Sequence, residues 1–204
     1  IITTHMTEII KDNMPDLLTR TEVEKLIEDI KSNHEQLVEE LIPAKITMGT
    51  FQKILQNLLE ERISIKDLPT ILESLSDAVL NTQEVYALTD QVRIRLSRQI
   101  CHQHINHEGV IPVVSLSAAW ETEFMSSQDG NALAMEPSKA QGFVKAMKDK
   151  IESAMAQGQT PVVLTSTNNR RAVKNILARV MPQIAVLSQN EIHSKTNINT
   201  VGTV

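Results

Sequence analysis

Aromatic side chains make up only 2% of this 204-residue chain, with one Trp and one Tyr. So few rings argue against base-stacking platforms and aromatic cages, and they leave the cores to Leu, Ile, Val and eight Met. Cysteine is scarcer still. One Cys cannot form an internal disulfide, a usage that fits a reducing compartment. No apolar run approaches the roughly 20 residues that span a bilayer, and the opening IITTHMTEII has neither the basic flank nor the apolar block of a signal peptide. The expectation is a soluble piece, and because it opens on Ile within an apparent helix, a fragment of a longer protein. There is no internal repeat, low-complexity tract or long charge block. The net charge of -5 disfavours nucleic acid as a partner.

What is present is the composition of a globular protein, 41% hydrophobic and 22% charged, long enough for one or two domains with their own cores. The strongest pattern lies between Thr47 and Leu75. Phe51, Ile54, Leu55, Leu58 and Leu59 recur at the spacing of one apolar helix face. The stripe breaks at Glu60-Glu61-Arg62 and restarts after Asp67, a helix cap, with Pro69 in the first turn and Ile71, Leu72, Leu75 and Val79 on one face. Upstream, His5 to Asn13 reads as the tail of a helix halted before Pro15. Thr19 and Glu22 have capping-box spacing ahead of Val23, Leu26, Ile27 and Ile30, and a shorter helix over Leu37 to Ile42 is closed by Pro43. Downstream, Val85, Leu88, Val92, Leu96 and Ile100 predict one further helix that shows Arg93, Arg95 and Arg98 on its other faces.

The pattern changes at His107-Glu108-Gly109. Val110 to Leu116 is a β-branched run whose Pro112 restricts it to a strand start, a bulge or an edge. Ser117 caps a helix with Trp120 and Phe124, residues 126–131 read as loop, and residues 133–135 as a short strand. Pro137 opens a helix through Phe143, Met147, Ile151 and Met155 that ends at Gly158. A strand over Pro161 to Thr165, a helix face of Val173, Ile176, Leu177 and Val180, a strand over Ile184 to Leu187 and an edge strand from Ile198 to Val204 complete an α/β rhythm. The expected fold class is α+β: residues 1–18 end a preceding subdomain, 19–108 form a helical subdomain, and 109–204 a smaller α/β one.

Candidate chemistry is thin. Cys101, His102, His104 and His107 are the densest set of potential ligands, but they lie where a helix ends and lack a further ligand at metal spacing, so a polar helix terminus is the better reading and no metal is expected. His5 and His34 stand alone. Ser166 to Arg171 occupies the strand-to-helix position of a phosphate cradle but lacks its glycines, which favours an ordinary capped helix start and no cofactor. Adjacent Glu60 and Glu61 diverge on a helix and have no nucleophile beside them, so no catalytic residue is assigned.

As a string, QNLLEERISIKDLPTILESL resembles the cytoplasmic domain of the export-gate proteins of flagellar and virulence type III secretion, the FHIPEP family. ITTHMTEII, LLTRTEVEKLI, DQVRIRLSRQI, ALAMEPS, PVVLTS, RRAVKNIL and VLSQNEIH extend the resemblance along nearly the whole chain, and SQNEIH with ALAMEPS leans to the flagellar branch. The resemblance implies a protein that is not an enzyme. Its amino-terminal part lies in the bacterial inner membrane, and its cytoplasmic part forms a ring, nonameric in the family, that serves export of unfolded flagellar subunits. Partners implied are further copies, other export-apparatus proteins, the export ATPase complex and chaperone-substrate complexes, whose main dock lies upstream of this chain. Glu60, Glu61, Arg62 and Arg98 border the most apolar helices and are the expected subunit-interface residues. The alternatives are the virulence counterpart, an α/β enzyme of unknown substrate, and a DNA-binding regulator supported only by short helices and arginines.

Overall fold

The computed structural model describes residues 13–129 and 132–204, and the chain separates into two units between Leu96 and Ser97. The expected helix tail over His5 to Asn13 falls almost entirely outside the described residues. Where the chain is described, residues 13–17 are helical, so Pro15 does not stop a helix. Its carbonyl is instead held from the side, accepting from Gln56 Nε2 at 3.2 Å, while the Leu18 carbonyl accepts from Gln52 Nε2 at 2.9 Å.

The first unit is built of four helices that follow. The Thr19 hydroxyl accepts from Glu22 N at 3.3 Å and starts α1, Arg20–Leu41. α1 is bent at His34 (φ -136°, ψ 41°), which divides it into the two helical stretches read from the sequence. The Thr47 hydroxyl caps α2, Met48–Glu60, and the Asp67 carboxylate caps α3, Leu68–Ala78, with Pro69 in its first turn. Then comes α4, Val85–Arg95, capped by Glu84. The predicted stripe is the core: Phe51, Ile54, Leu55 and Leu58 are fully buried, as are Ile71, Leu72, Leu75, Leu88 and Val92. Each such side chain contributes about 1.5–3 kcal/mol by leaving water, which is what fixes these helices against one another.

Two expectations fail at the end of this unit. The helix from Val85 to Ile100 is two helices, α4 and α5, Ser97–His104, separated at Leu96 (φ -83°, ψ 10°). Ile100 and Cys101 on α5 are both buried. Arg93, read as surface, is 1% exposed; a carboxylate from α2's end makes that possible.

The second unit is a four-stranded parallel sheet in the order β5-β4-β1-β6, with β1 Val110–Ser115, β4 Val162–Thr165, β5 Val186–Ser188 and β6 Asn197–Thr203. β1 is therefore an inner strand although it contains Pro112. Pairing to β4 begins only at Val113, so at Pro112 the strand is paired on the β6 side alone, and the β1–β6 register shifts at Val113/Val114 as a bulge would shift it. α6, Ala118–Ser126, follows β1. Gln128–Asp129 (β2) pairs antiparallel with Ala132–Leu133 (β3), where the sequence suggested loop and a strand slightly later. α7, Pro137–Ala156, and α8, Thr167–Ala178, complete the unit. α7 ends as predicted: Gly158 N donates to Met155 O at 2.9 Å and Gln159 N to Ala154 O at 3.1 Å, with Gly158 at φ 79°. One sheet face is closed by Val114, Val163 and Val186 against Phe124, Phe143, Met147, Ile151, Val173 and Leu177. Val180, assigned to that helix face, lies beyond the end of α8 and is 52% exposed.

Candidate functional site

The corner after α2 follows from how the helix ends. Arg62 N donates to Leu59 O at 2.9 Å and Ile63 N to Leu58 O at 2.9 Å, which closes the last turn only if Arg62 takes the left-handed conformation (φ 59°) that glycine usually supplies. Ile63, buried at 3%, drops into the core behind it. The three charges are thereby sent in different directions. Glu60 is exposed, 3.4 Å from Lys53 Nζ. Glu61 turns inward and its Oε2 meets Arg93 Nη1 at 3.0 Å, with the two side chains 18% and 1% exposed. Arg62 is exposed on the outside of the turn. Arg98 is also exposed and stands on α5, in the second unit. Arg93 escaped the sequence reading because it looks like a charge between two stripes. It lies four residues after Thr89, which is buried on α4 and accepts from Asn57 Nδ2 at 3.3 Å.

A second polar constellation sits at the carboxyl end of β4. Glu121, in the first turn of α6, reaches the start of α8. Its carboxylate accepts from Thr165 Oγ1 at 2.8 Å, Ser166 N at 3.0 Å, Ser166 Oγ at 2.7 Å and Asn169 Nδ2 at 2.6 Å. Gln128 Nε2 donates in turn to Asn169 Oδ1 at 2.8 Å. Burial alone pushes the Glu121 carboxyl up, but the hydrogen bonds from Ser166, Thr165 and Asn169 outweigh it and hold it below the usual carboxylate range. This is the place weighed as a phosphate cradle from Ser166 to Arg171. The anion at that helix start is the protein's own Glu121, so the arrangement ties α6 to the β4–α8 turn. No sequence signal joins Glu121 to partners more than forty residues away.

Cys101 is buried, donates its thiol to Glu191 O at 3.3 Å and accepts from His193 N at 3.3 Å. It is engaged with the turn after β5, while His102 and His107 are exposed. Among the described residues no group of three or more His, Cys, Asp or Glu could hold a metal ion, and no helix is long and apolar enough to cross a membrane.

The chain matches the FHIPEP family over residues 1–197. It is 43% identical, along its whole length, to the flagellar biosynthesis protein FlhA of Caulobacter vibrioides, of which it spans 30%. It is 33% identical to the FlhA of Bacillus subtilis, of which it spans 31%. Among solved structures it resembles the Chlamydia pneumoniae CdsV protein (TM-score 0.93, 31% identity, all of this chain and 59% of that one). It also resembles the nonameric EPEC SctV-C (TM-score 0.90, 26% identity, all of this chain and 62% of that one).

Proposed function

The chain belongs to the FHIPEP family, and on that footing we propose that it is the last part of the cytoplasmic domain of a flagellar export gate, a ring-forming and docking part of the type III export apparatus and not an enzyme. The observation that carries the reading is the match of the whole chain to the EscV cytosolic domain, described as nonameric, at a TM-score of 0.87. Identity of 43% to a flagellar protein favours the flagellar branch; the virulence counterpart is the second reading, favoured by the likeness to CdsV. Occupation of the α8 start by Glu121 speaks against an enzyme that binds a phosphate there.

In this reading residues 1–18 end a preceding subdomain, residues 19–108, which run past the break at Leu96 and take in α5, form the helical subdomain that supplies the subunit contact, and residues 109–204 form the last one. The protein works at the cytoplasmic face of the inner membrane, held there by a part outside this chain, beside the export ATPase complex and other export proteins. Chaperone-substrate complexes dock mainly upstream. CdsV has been solved in complex with CdsO, which supports contacts of this kind. Within the contact we place Glu60, Arg62 and Arg98 as the groups presented to a neighbour, with Glu61 as the internal anchor that orients the corner through Arg93.

A closed ring repeats one heterologous contact, so a lesion in it recurs at every junction. Arg62→Glu is expected to leave the fold intact, because an exposed charge contributes only about 0–1 kcal/mol, and to weaken assembly. Light scattering on the complete cytoplasmic domain, with circular dichroism as the folding control, measures both. Equal multimer populations for wild type and variant would remove Arg62 from the contact.

A further inference from the structure

The two edges of the parallel sheet are protected very differently. β5 has three residues, all buried. β6 has seven, and Asn197, Ile198, Asn199 and Thr200 are all exposed. An edge strand presents a row of main-chain N–H and C=O groups, and folded proteins commonly guard it with proline, charge, a bulge or a short length. From Asn197 to Thr203 there is no proline and no charged residue. The bulge-like shift falls late, between the Val113–Thr200 and Val114–Gly202 pairs. Ahead of it, Asn197–Thr200 runs in regular register with Val110–Val113.

We infer that Asn197–Thr200 receives an extended polypeptide segment, which adds to the sheet as a further strand on the outer side of β6. The backbone sets the form of the occupant, since only an extended chain matches a row of alternating donors and acceptors. The contrast between the edges excludes the obvious rival. Another copy cannot offer β5, which is buried, and in a ring of repeated heterologous contacts β6 does not meet the β6 of its neighbour, because self-pairing needs a two-fold axis. What fits is a segment without a sheet of its own, that is, an unfolded chain. Recognition is loosely selective for sequence: Asn, Asn and Thr bear no charge, and Ile198, 43% exposed, is the one apolar side chain in the stretch. The inference rests on the export reading above, in which unfolded chains are handed past this protein.

The test uses the full chain and a fluorescein-labelled, uncharged peptide of alternating Thr and Val. Saturable binding by anisotropy is expected, together with an approximately tenfold slowing of hydrogen exchange at the amides of residues 197–200 that are free of β1. The double variant Ile198→Lys, Thr200→Lys places charge along the edge, and is expected to bind about tenfold more weakly at an unchanged melting temperature. Absence of binding, binding without slowed exchange at those amides, or equal binding by a folded double variant would each overturn the inference. Should the double variant fail to fold, exchange in the wild type decides alone. A protein that forms rings yet shows no protection at β6 loses this inference only, whereas one that never assembles loses the ring reading.

Discussion

Each unit takes a charged group out of open solvent, and the two do so by opposite means. In the helical unit Arg93, 1% exposed, is answered by another charge, the Glu61 carboxylate at 3.0 Å. In the sheet unit Glu121 is answered by neutral donors, two hydroxyls, an amide side chain and a backbone N–H at the start of α8. A buried ion pair is fragile to loss of one partner, because the survivor is left charged in a poor solvent. A carboxylate held by several neutral donors is more tolerant, since each donor retains part of its bonding to water or to its neighbours.

The contrast breaks if the two sites respond alike to truncation. The largest effect is expected for Arg93→Ala, which leaves Glu61 facing the core and should cost about 3–5 kcal/mol. Urea unfolding monitored by circular dichroism would measure it. A cost no greater than that of an exposed arginine would mean that Glu61 simply rotates to solvent. Glu121→Ala should cost less, about 1–3 kcal/mol, by leaving Thr165, Ser166 and Asn169 without their acceptor. Its pH dependence sharpens the point. The folded pKa of Glu121 lies below its usual value, so the stability it contributes is fully present above the unfolded carboxylate pKa of about 4.3, and is lost as pH falls through the lower folded value. Wild type should therefore lose its advantage over Glu121→Ala on acidification; a difference that persists unchanged through that range would assign the effect to packing alone.

The smallest effects come from two helix ends that share one geometry. α2 and α7 both close on a left-handed residue, Arg62 (φ 59°) and Gly158 (φ 79°). Gly158→Ala puts a Cβ on a backbone that disfavours it, and should destabilise by about 1 kcal/mol. Space is not the reason, since a Cβ there meets nothing within 4 Å. Arg62→Gly relieves the same strain in the other unit and should raise the thermal midpoint by a few degrees, about 4–8 °C per kcal/mol for a unit of this size. If the midpoint falls instead, the Arg62 side chain contributes more to the fold than its conformation costs.

How much of this was legible in the sequence follows the same division. The apolar faces of α2, α3 and α7 and the caps at Thr19 and Asp67 could be read because each depends on residues within one or two turns. So could the order of helix and strand in the second unit, and the glycine that ends α7. Arg93 could not, since nothing local distinguishes an arginine paired with a glutamate thirty-two positions earlier from one in solvent. The break at Leu96 was hidden by an unbroken apolar spacing that two helices happen to share. Pro112 misled in part: its bulge was foreseen, but its inner position depends on where β4 begins, which is decided by pairing across the sheet. At the interface candidates, the turn at Arg62 divided neighbours that the sequence had grouped.

The order of strands also bears on how the chain is made. β1 lies inside the sheet, but one of its two neighbours is β6, and Val110 is paired with Asn197. During synthesis α1 to α4 can pack on one another once Leu96 has emerged from the ribosome, and their contacts are close in sequence, the circumstance that favours rapid folding. β1 must wait. Until the segment bearing β6 emerges, an inner strand rich in Val and Ile stands as a provisional edge, and the nascent second unit is exposed to mispairing for as long as that takes. Slowing translation shortly before Asn197 would lengthen that interval, and the yield of folded protein would depend on the pace at which the segment bearing β6 is made.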